Sequence, residues 1–237
     1  MLPLAKQNLY RERYKRLRSG WQTSGTELET LVRHRLTDDS DVLDLGCGRG
    51  GVMELFWREV HLAIGLDPDL TSLLEHRASL PLTGGLGEAL PFPANTFHLV
   101  IGLWVLEHLG QPQATLSEIQ RVLRPSGHFI FLTPNARHPL VWANHVSQAL
   151  PALQRRLVPK LYGRNEADTF RVHYRANTLP QLRALAFRLG LQVVTLRAIP
   201  DPTYLAFNDL FFQMSVLMER VLPEEWGVHL LGDFSKA

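Results

Sequence analysis

The stretch "VLDLGCGRGG", residues 42–51, constrains this chain more than any other, because a short apolar run breaks there into four glycines set around one cysteine and one arginine. Val42 to Leu45 reads as a short buried strand. The glycines permit a turn tight enough for the backbone to approach a ligand closely. Val52, Leu55, Phe56 and Val60 then recur on one apolar face, which predicts a helix whose exposed first amides favour negative charge. "HLAIGLD" follows as a second strand, so the unit is strand, glycine loop, helix, strand, with Asp67 at its end.

The same rhythm runs on in both directions. Thr26 and Glu29 have capping-box spacing and Leu28, Leu31, Val32 and Leu36 repeat helically, predicting a helix from about Glu27 to Leu36. Downstream, the pattern predicts a helix over 70–78, a glycine-broken strand over 82–86 and a firm strand "FHLVIGL" over 97–103. A helix opened by Pro112 and stopped by "RPSG" comes next, then the apolar strand "HFIFLTPN". Residues 136–177 and 202–226 break the rhythm and read as insertions, with "LPQLRALAFRLG" and "LQVVTLRAI" between them as a helix and a strand, and "VHLLGDF" as a closing strand. In the second insertion a helix near 204–221 has a broad apolar surface, for which burial in the core is the default expectation. Alternating apolar strands and amphipathic helices imply an α/β fold with a mostly parallel sheet covered on both faces. The expected organisation is one domain over 1–237, led by an arm over 1–25.

Composition excludes several function classes. With 25 basic and 23 acidic residues the formal charge is +2, too weak a field to argue for nucleic acid or a membrane as partner. Lys6, Arg11, Arg13, Lys15, Arg16 and Arg18 face the single acid Glu12, and a solvated helix face is the preferred reading over an anion-binding arm. Cys47 is the only cysteine, so no internal disulfide forms and a reducing compartment is expected. No secretion-signal core and no membrane-spanning window is evident, which leads to the expectation of a cytoplasmic monomer or homodimer without stable membrane insertion.

The glycine loop satisfies two motifs with opposite electrostatics. Gly46, Gly48 and Gly51 fit the G-x-G-x-x-G of dinucleotide sites, while Asp44, Gly46, Gly48 and Gly50 fit an acidic-x-G-x-G-x-G pattern. A phosphate beside Asp44 would be repelled by about 4 kcal/mol at about 4 Å and an effective dielectric of about 20. An ammonium or sulfonium would be attracted. Asp67 suits either reading, since an acid ending the second strand can accept hydrogen bonds from ribose hydroxyls. Together the two acids suit a nucleoside with a positively charged amino-acid tail.

"VLDLGCGRGG", "AIGLDPD", "GEALPFPANTFHLVIGLWVLEHL" and "RVLRPSGHFIFLTPN" occur in that order and closely resemble the class I S-adenosylmethionine-dependent methyltransferases, especially the small-molecule branch that includes quinone-biosynthesis enzymes. The likeness is strong from Asp41 to Asn135 and loose from Thr178 to Ile199. It implies a Rossmann-like, doubly wound, seven-stranded sheet whose last strand is antiparallel, with helical insertions and with S-adenosyl-L-methionine as cofactor. It places Asp44, Gly46, Cys47 and Gly48 around the methionine part, Asp67 and Pro68 at the ribose, Gly87 and Glu88 near adenine, and Leu103 beside the cofactor. Where the family often carries an Asp that bonds adenine, this chain has Leu86, so backbone amides and apolar contact must hold the base. Cys47 is expected to pack as a small residue.

Methyl transfer is an in-line displacement, and a base is needed only where the acceptor must lose a proton. His108 in "LWVLEHL" is the candidate base; Glu107 beside it does not amount to a metal site. Trp104, His173, Tyr174 and Arg175 are the candidate substrate-binding residues. The expected acceptor is a small, hydrophobic-leaning molecule. Two readings stand against this one, an NAD-dependent oxidoreductase and a non-catalytic methyltransferase-like binding protein.

Overall fold

A computed structural model describes residues 4–148 and 171–237. Strand β1 (Asp41–Leu45) has all five of its residues buried, as a strand covered on both faces requires. Strands β2 (Leu62–Asp67), β3 (Leu82–Gly84), β4 (Phe97–Leu103), β5 (Leu123–Pro134), β6 (Leu191–Ile199) and β7 (His229–Lys236) complete one seven-stranded sheet in the order β3-β2-β1-β4-β5-β7-β6. All neighbours pair in parallel except β7, which runs antiparallel to both β5 and β6. The sheet thus has the seven strands and the antiparallel last strand that the sequence resemblance implied.

Side-chain alternation along the strands builds two cores. Leu43, Leu45, Val100, Phe129 and Phe131 meet α4 (Pro112–Val122) and α6 (Leu179–Arg188) on one face. Val42, Leu99, Ile101, Ile130 and Leu132 meet α2 (Ser24–Arg33), Met53 and Phe56 on the other. A smaller third core joins Tyr10 and Tyr14 of α1 (Leu4–Leu17) to Trp21 and to Phe212 and Val216 of α7 (Asp209–Val221). The remaining described α-helices are α3 (Leu70–Leu74) and α5 (Pro139–Gln148).

Several local expectations are corrected. The helix expected after the glycine loop is only a 3-10 turn, Val52–Leu55, and Leu55 is 54 % exposed. The reason lies in Arg77, whose Nη2 donates to the Gly50 carbonyl at 3.3 Å and pairs with Glu54 at 2.6 Å, while its own amide donates to the Arg49 carbonyl at 3.1 Å. These bonds hold the loop and the turn after it in an irregular path. The next helix accordingly stops at Leu74 rather than continuing to 78. Thr23, not Thr26, caps α2, accepting from the Thr26 amide at 3.2 Å. The helix opened by Pro112 stops at Val122 as expected, and "RPSG" itself lies within β5, whose pairing with β4 shifts register between Phe97 and Leu99 of β4. The basic N-terminal helix is only partly a solvated face, because Tyr10 and Tyr14 are buried and Arg11 is half-buried. The 204–221 helix is not core throughout: Phe212, Ser215 and Val216 are buried, but Leu210, Phe211, Met214, Leu217 and Val221 are exposed. Part of the 136–177 insertion, residues 149–170, lies outside the described residues.

The pairing of Phe131 with Gly232 is a tight spot, since a Cβ on Gly232 would collide with the Phe131 ring. Gly232→Val is therefore expected to destabilise the protein by about 1–3 kcal/mol, the usual cost of overpacking a closed core, read as a lowered urea midpoint with unchanged slope.

Candidate functional site

The chain leaves β1 towards β2 and leaves β4 in the opposite direction, towards β5, so a crevice opens between the carboxyl ends of β1 and β4. The glycine loop sits there. Gly46, Gly48 and Gly50 take left-handed backbone with φ of 70°, 50° and 115°, which a side chain would strain. A Cβ at Gly46 would also collide with Val105. The loop is fastened to β2, because the amides of Gly46 and Cys47 both donate to the Leu66 carbonyl, at 2.7 and 3.2 Å. Asp67 fixes it further: its Oδ2 accepts from the Gly48 amide and its Oδ1 from the Asp69 amide, each at 2.8 Å. Cys47 packs against Gly65, where an added Cβ would stand 2.8 Å from its Sγ. Burial first, and then the charges of Asp44 and Asp67, push its thiol up to about 12. A thiol so held is no nucleophile at neutral pH.

Asp44 is the group that this arrangement leaves unfinished. It is 3 % exposed, and its Oδ2 has no hydrogen-bond partner among the described residues. Burial first, and then the charge of Asp67, push its carboxyl up to about 7. A buried carboxylate lacking a donor is costly, and an incoming ammonium satisfies both its charge and its lone pairs. An incoming diphosphate satisfies neither. The residue set therefore fits a cationic amino-acid tail. Nearby, Asp67 stands in register with Gly84, so Pro68, Gly87 and Glu88 follow from the same sheet edge. Gly87 and Glu88 are half-buried, Pro68 is exposed, and Leu86 is 60 % exposed. Leu103 is half-buried and would touch a Cβ placed on Gly51 at 3.7 Å.

After β4 the chain crosses the sheet's edge. Trp104 has φ of 59°, its amide donates to the Leu132 carbonyl at 2.9 Å, and its ring meets His229 edge-on at 4.9 Å. On the far side, among the residues of the α4 and α6 core, the Glu107 carbonyl accepts from the amides of His173 and Tyr174 at 2.7 and 3.2 Å. The Glu107 carboxyl is buried, accepts from the Thr133 hydroxyl at 3.0 Å, and is pushed up to about 7 by burial. Asn177 in turn donates to that hydroxyl's oxygen at 2.6 Å. His108 Nδ1 lies 3.0 Å from the Arg171 carbonyl, which can only accept, so Nδ1 carries the proton and Nε2 the lone pair. Burial lowers the imidazole's pKa, favouring the neutral ring. Arg175 donates to the Gly110 carbonyl at 2.7 Å from an exposed position, and Tyr174 meets His145 edge-on. His108, His173, Tyr174 and Arg175 are thus brought together, while Trp104 belongs to a different wall.

That wall encloses a cavity of about 450 Å³. Leu28, Val52, Leu55, Leu103, Trp104 and Leu132 supply apolar lining, and Thr23, Ser24, Glu29, Arg11, Asp201 and His229 supply polar groups. The last three are functional candidates that sequence reasoning missed. Asp201 is buried, accepts from the Thr203 amide at 3.0 Å and has a raised pKa from burial. His229 is 3 % exposed and is held neutral, its pKa pushed down to about 3 by burial and then by His138 and Arg11. The buried Arg11 Nε has no hydrogen-bond partner among the described residues. Among those residues there is also no group of three or more His, Cys, Asp or Glu able to hold a metal.

With the geometry established, comparison with known proteins is informative. Residues 43–131 match the family model described as a methyltransferase domain. A Mycolicibacterium smegmatis protein named a probable S-adenosylmethionine-dependent methyltransferase is 39 % identical over 99 residues, covering 40 % of this chain and 38 % of that protein. The demethylmenaquinone methyltransferase of Symbiobacterium thermophilum is 39 % identical over 116 residues, covering 44 % and 46 %. The chain thus spans less than half the length of these curated relatives. The crystal structure of geranyl diphosphate C-methyltransferase from Streptomyces coelicolor, solved with S-adenosyl-L-homocysteine, superposes with a TM-score of 0.60 at 16 % identity, over 90 % of this chain and 80 % of that one.

The unfinished carboxyl has a consequence for stability. A carboxyl whose folded pKa lies above its unfolded value keeps its proton in the folded state between about pH 4 and 7, so stability declines as pH rises through that window. Asp44→Asn removes the penalty. It is expected to stabilise the ligand-free protein by about 2–4 kcal/mol at pH 8, with the gain vanishing towards pH 4, as read by urea denaturation across pH.

Proposed function

We propose that this chain, whose residues 43–131 match a methyltransferase domain within a seven-stranded sheet, uses S-adenosyl-L-methionine to methylate a small, largely apolar acceptor. The observation that carries the reading is Asp44, buried at the glycine loop with one oxygen unpartnered and a neighbour, Asp67, that also bears negative charge. Asp44 with Gly46 and Gly48 would hold the methionine end, Asp67 with Pro68 the ribose, and Gly87, Glu88 and Leu103 the region of the base. When bound, S-adenosyl-L-methionine supplies an electrophilic methyl group. The protein's part is to hold the acceptor in line and keep water away.

The cavity beside Trp104 is the proposed acceptor site. It shares with Asp44 the face of the sheet on which Val42, Ile101 and Leu132 lie, and its lining includes Val52 and Leu55 from the turn just after the glycine loop. Its apolar side chains suit a greasy body, and Arg11, Asp201 and His229 offer a polar end for orientation. His108, neutral and with Nε2 as its accepting nitrogen, does not line this cavity; it is the proposed base for an acceptor that must lose a proton and is held instead against the His173, Tyr174 and Arg175 wall. The apolar acceptors named in the relatives, demethylmenaquinone among them, are in keeping with such a lining.

Calorimetry with S-adenosylmethionine, S-adenosylhomocysteine and NAD tests the cofactor assignment. A ligand ammonium binds best to ionised Asp44, so below about pH 7 binding must first displace a proton. S-adenosylhomocysteine affinity is therefore expected to rise from pH 6 to 8, and Asp44→Asn to weaken it at least about tenfold and flatten the profile. Binding of NAD with none of the other two would sink the proposal. Once an acceptor is found in a metabolite panel, His108→Asn is expected to lower kcat by about a hundredfold or more while leaving cofactor affinity in place; an unchanged kcat removes His108 from the chemistry.

A further inference from the structure

Helix α7 is apolar on two sides, and the methyltransferase core uses only one of them. Phe212 and Val216 face inward, with Phe212 stacked on Tyr10 at 4.9 Å. Leu210, Met214, Leu217 and Val221 follow at i, i+4, i+7 and i+11, so they form one straight ridge on the opposite side. They are 64, 56, 62 and 77 % exposed, with Phe211 beside them at 43 %. A ridge of large exposed apolar side chains marks a surface that meets something other than water.

The charges around the ridge say what. Lys6, Leu9, Arg13, Arg16 and Leu17 share one face of α1 by their spacing, and that face meets the start of α7, where Lys6 donates to the Phe207 carbonyl at 3.2 Å and Arg13 pairs with Asp209 at 2.7 Å. Leu9 and Leu17 are themselves exposed. The acids of the two helices are already engaged: Glu12 with Lys15 at 2.9 Å, Asp209 with Arg13, and Glu219 turned inward near His138 at 3.7 Å. Arg16, Arg18 and Arg220 remain exposed and form no ion pair among the described residues, as do Glu224 and Glu225 just beyond α7, so the exposed cations outnumber the exposed acids. A second copy of the chain meeting this ridge across a two-fold axis would bring the same cations towards each other. An anionic bilayer accommodates both features, taking the ridge among its acyl chains and the arginines among its headgroups.

We propose that α1 and α7 together form a docking surface for an anionic lipid bilayer. The contact is peripheral, as no helix among the described residues is long and apolar enough to cross a membrane. The arm that carries this surface also carries Arg11 into the cavity wall, so docking sets that wall beside the membrane.

Co-sedimentation of the full chain with vesicles tests this. Binding is expected to vesicles of phosphatidylcholine doped with phosphatidylglycerol, weak with phosphatidylcholine alone, and reduced by salt. The exposed-site double variant Leu210→Glu, Leu217→Glu, and separately Arg16→Glu, are each expected to lower binding at least about tenfold with an unchanged thermal midpoint. No binding to the anionic vesicles, or equal binding to both kinds, overturns the proposal. So does analytical ultracentrifugation showing a dimer of the full chain that the double variant dissolves.

Discussion

A buried carboxyl with one unpartnered oxygen, near the end of β1, is what the rest of the candidate site is arranged around. Asp44 lies in β1, where both faces are covered, so solvent cannot complete its hydrogen bonds. Every neighbouring feature preserves that condition. Asp67 spends both oxygens on the Gly48 and Asp69 amides and thereby fixes the loop rather than relieving Asp44. Cys47 fills the notch over Gly65 and, with its pKa near 12, brings no charge of its own. The loop is rigid and electrostatically incomplete at once, the state expected of a binding site formed before its ligand arrives.

The fold was legible because buried parallel strands leave a strong mark. "FHLVIGL" coincides with β4, while "LQVVTLRAI" coincides with β6, which pairs antiparallel and is exposed over much of its length; the antiparallel last strand follows from the family resemblance. What failed was local. The apolar positions Val52, Phe56 and Val60 repeat as a helix would, yet Arg77, some twenty residues on, satisfies the Gly50 carbonyl and Glu54 and leaves little for a regular helix to hold. Periodicity reads neighbours in sequence, and here a distant guanidinium decided the backbone path.

The same limit explains the part of the candidate site that sequence reasoning missed. Asp44, Asp67 and the glycines are adjacent to strand ends and announce themselves. Arg11, Asp201 and His229 come from the first helix, the link after β6 and the start of β7. Only the tertiary fold assembles them. Arg11 lay within a basic run whose average character suggests solvent, although its spacing from Tyr14 puts it beside the buried stripe. Asp201, held between two prolines directly after a strand, was the one positional hint available.

The place of β7 bears on how the molecule is made. It is threaded between β5 and β6, and β6 has no other strand partner among the described residues. As a nascent chain emerges from the ribosome, the flank of β5 stays open and β6 unattached until residues 229–236 arrive. More than half of the sheet can assemble early, but the wedge that locks it comes last, leaving an adhesive seam for chaperones to shield during synthesis.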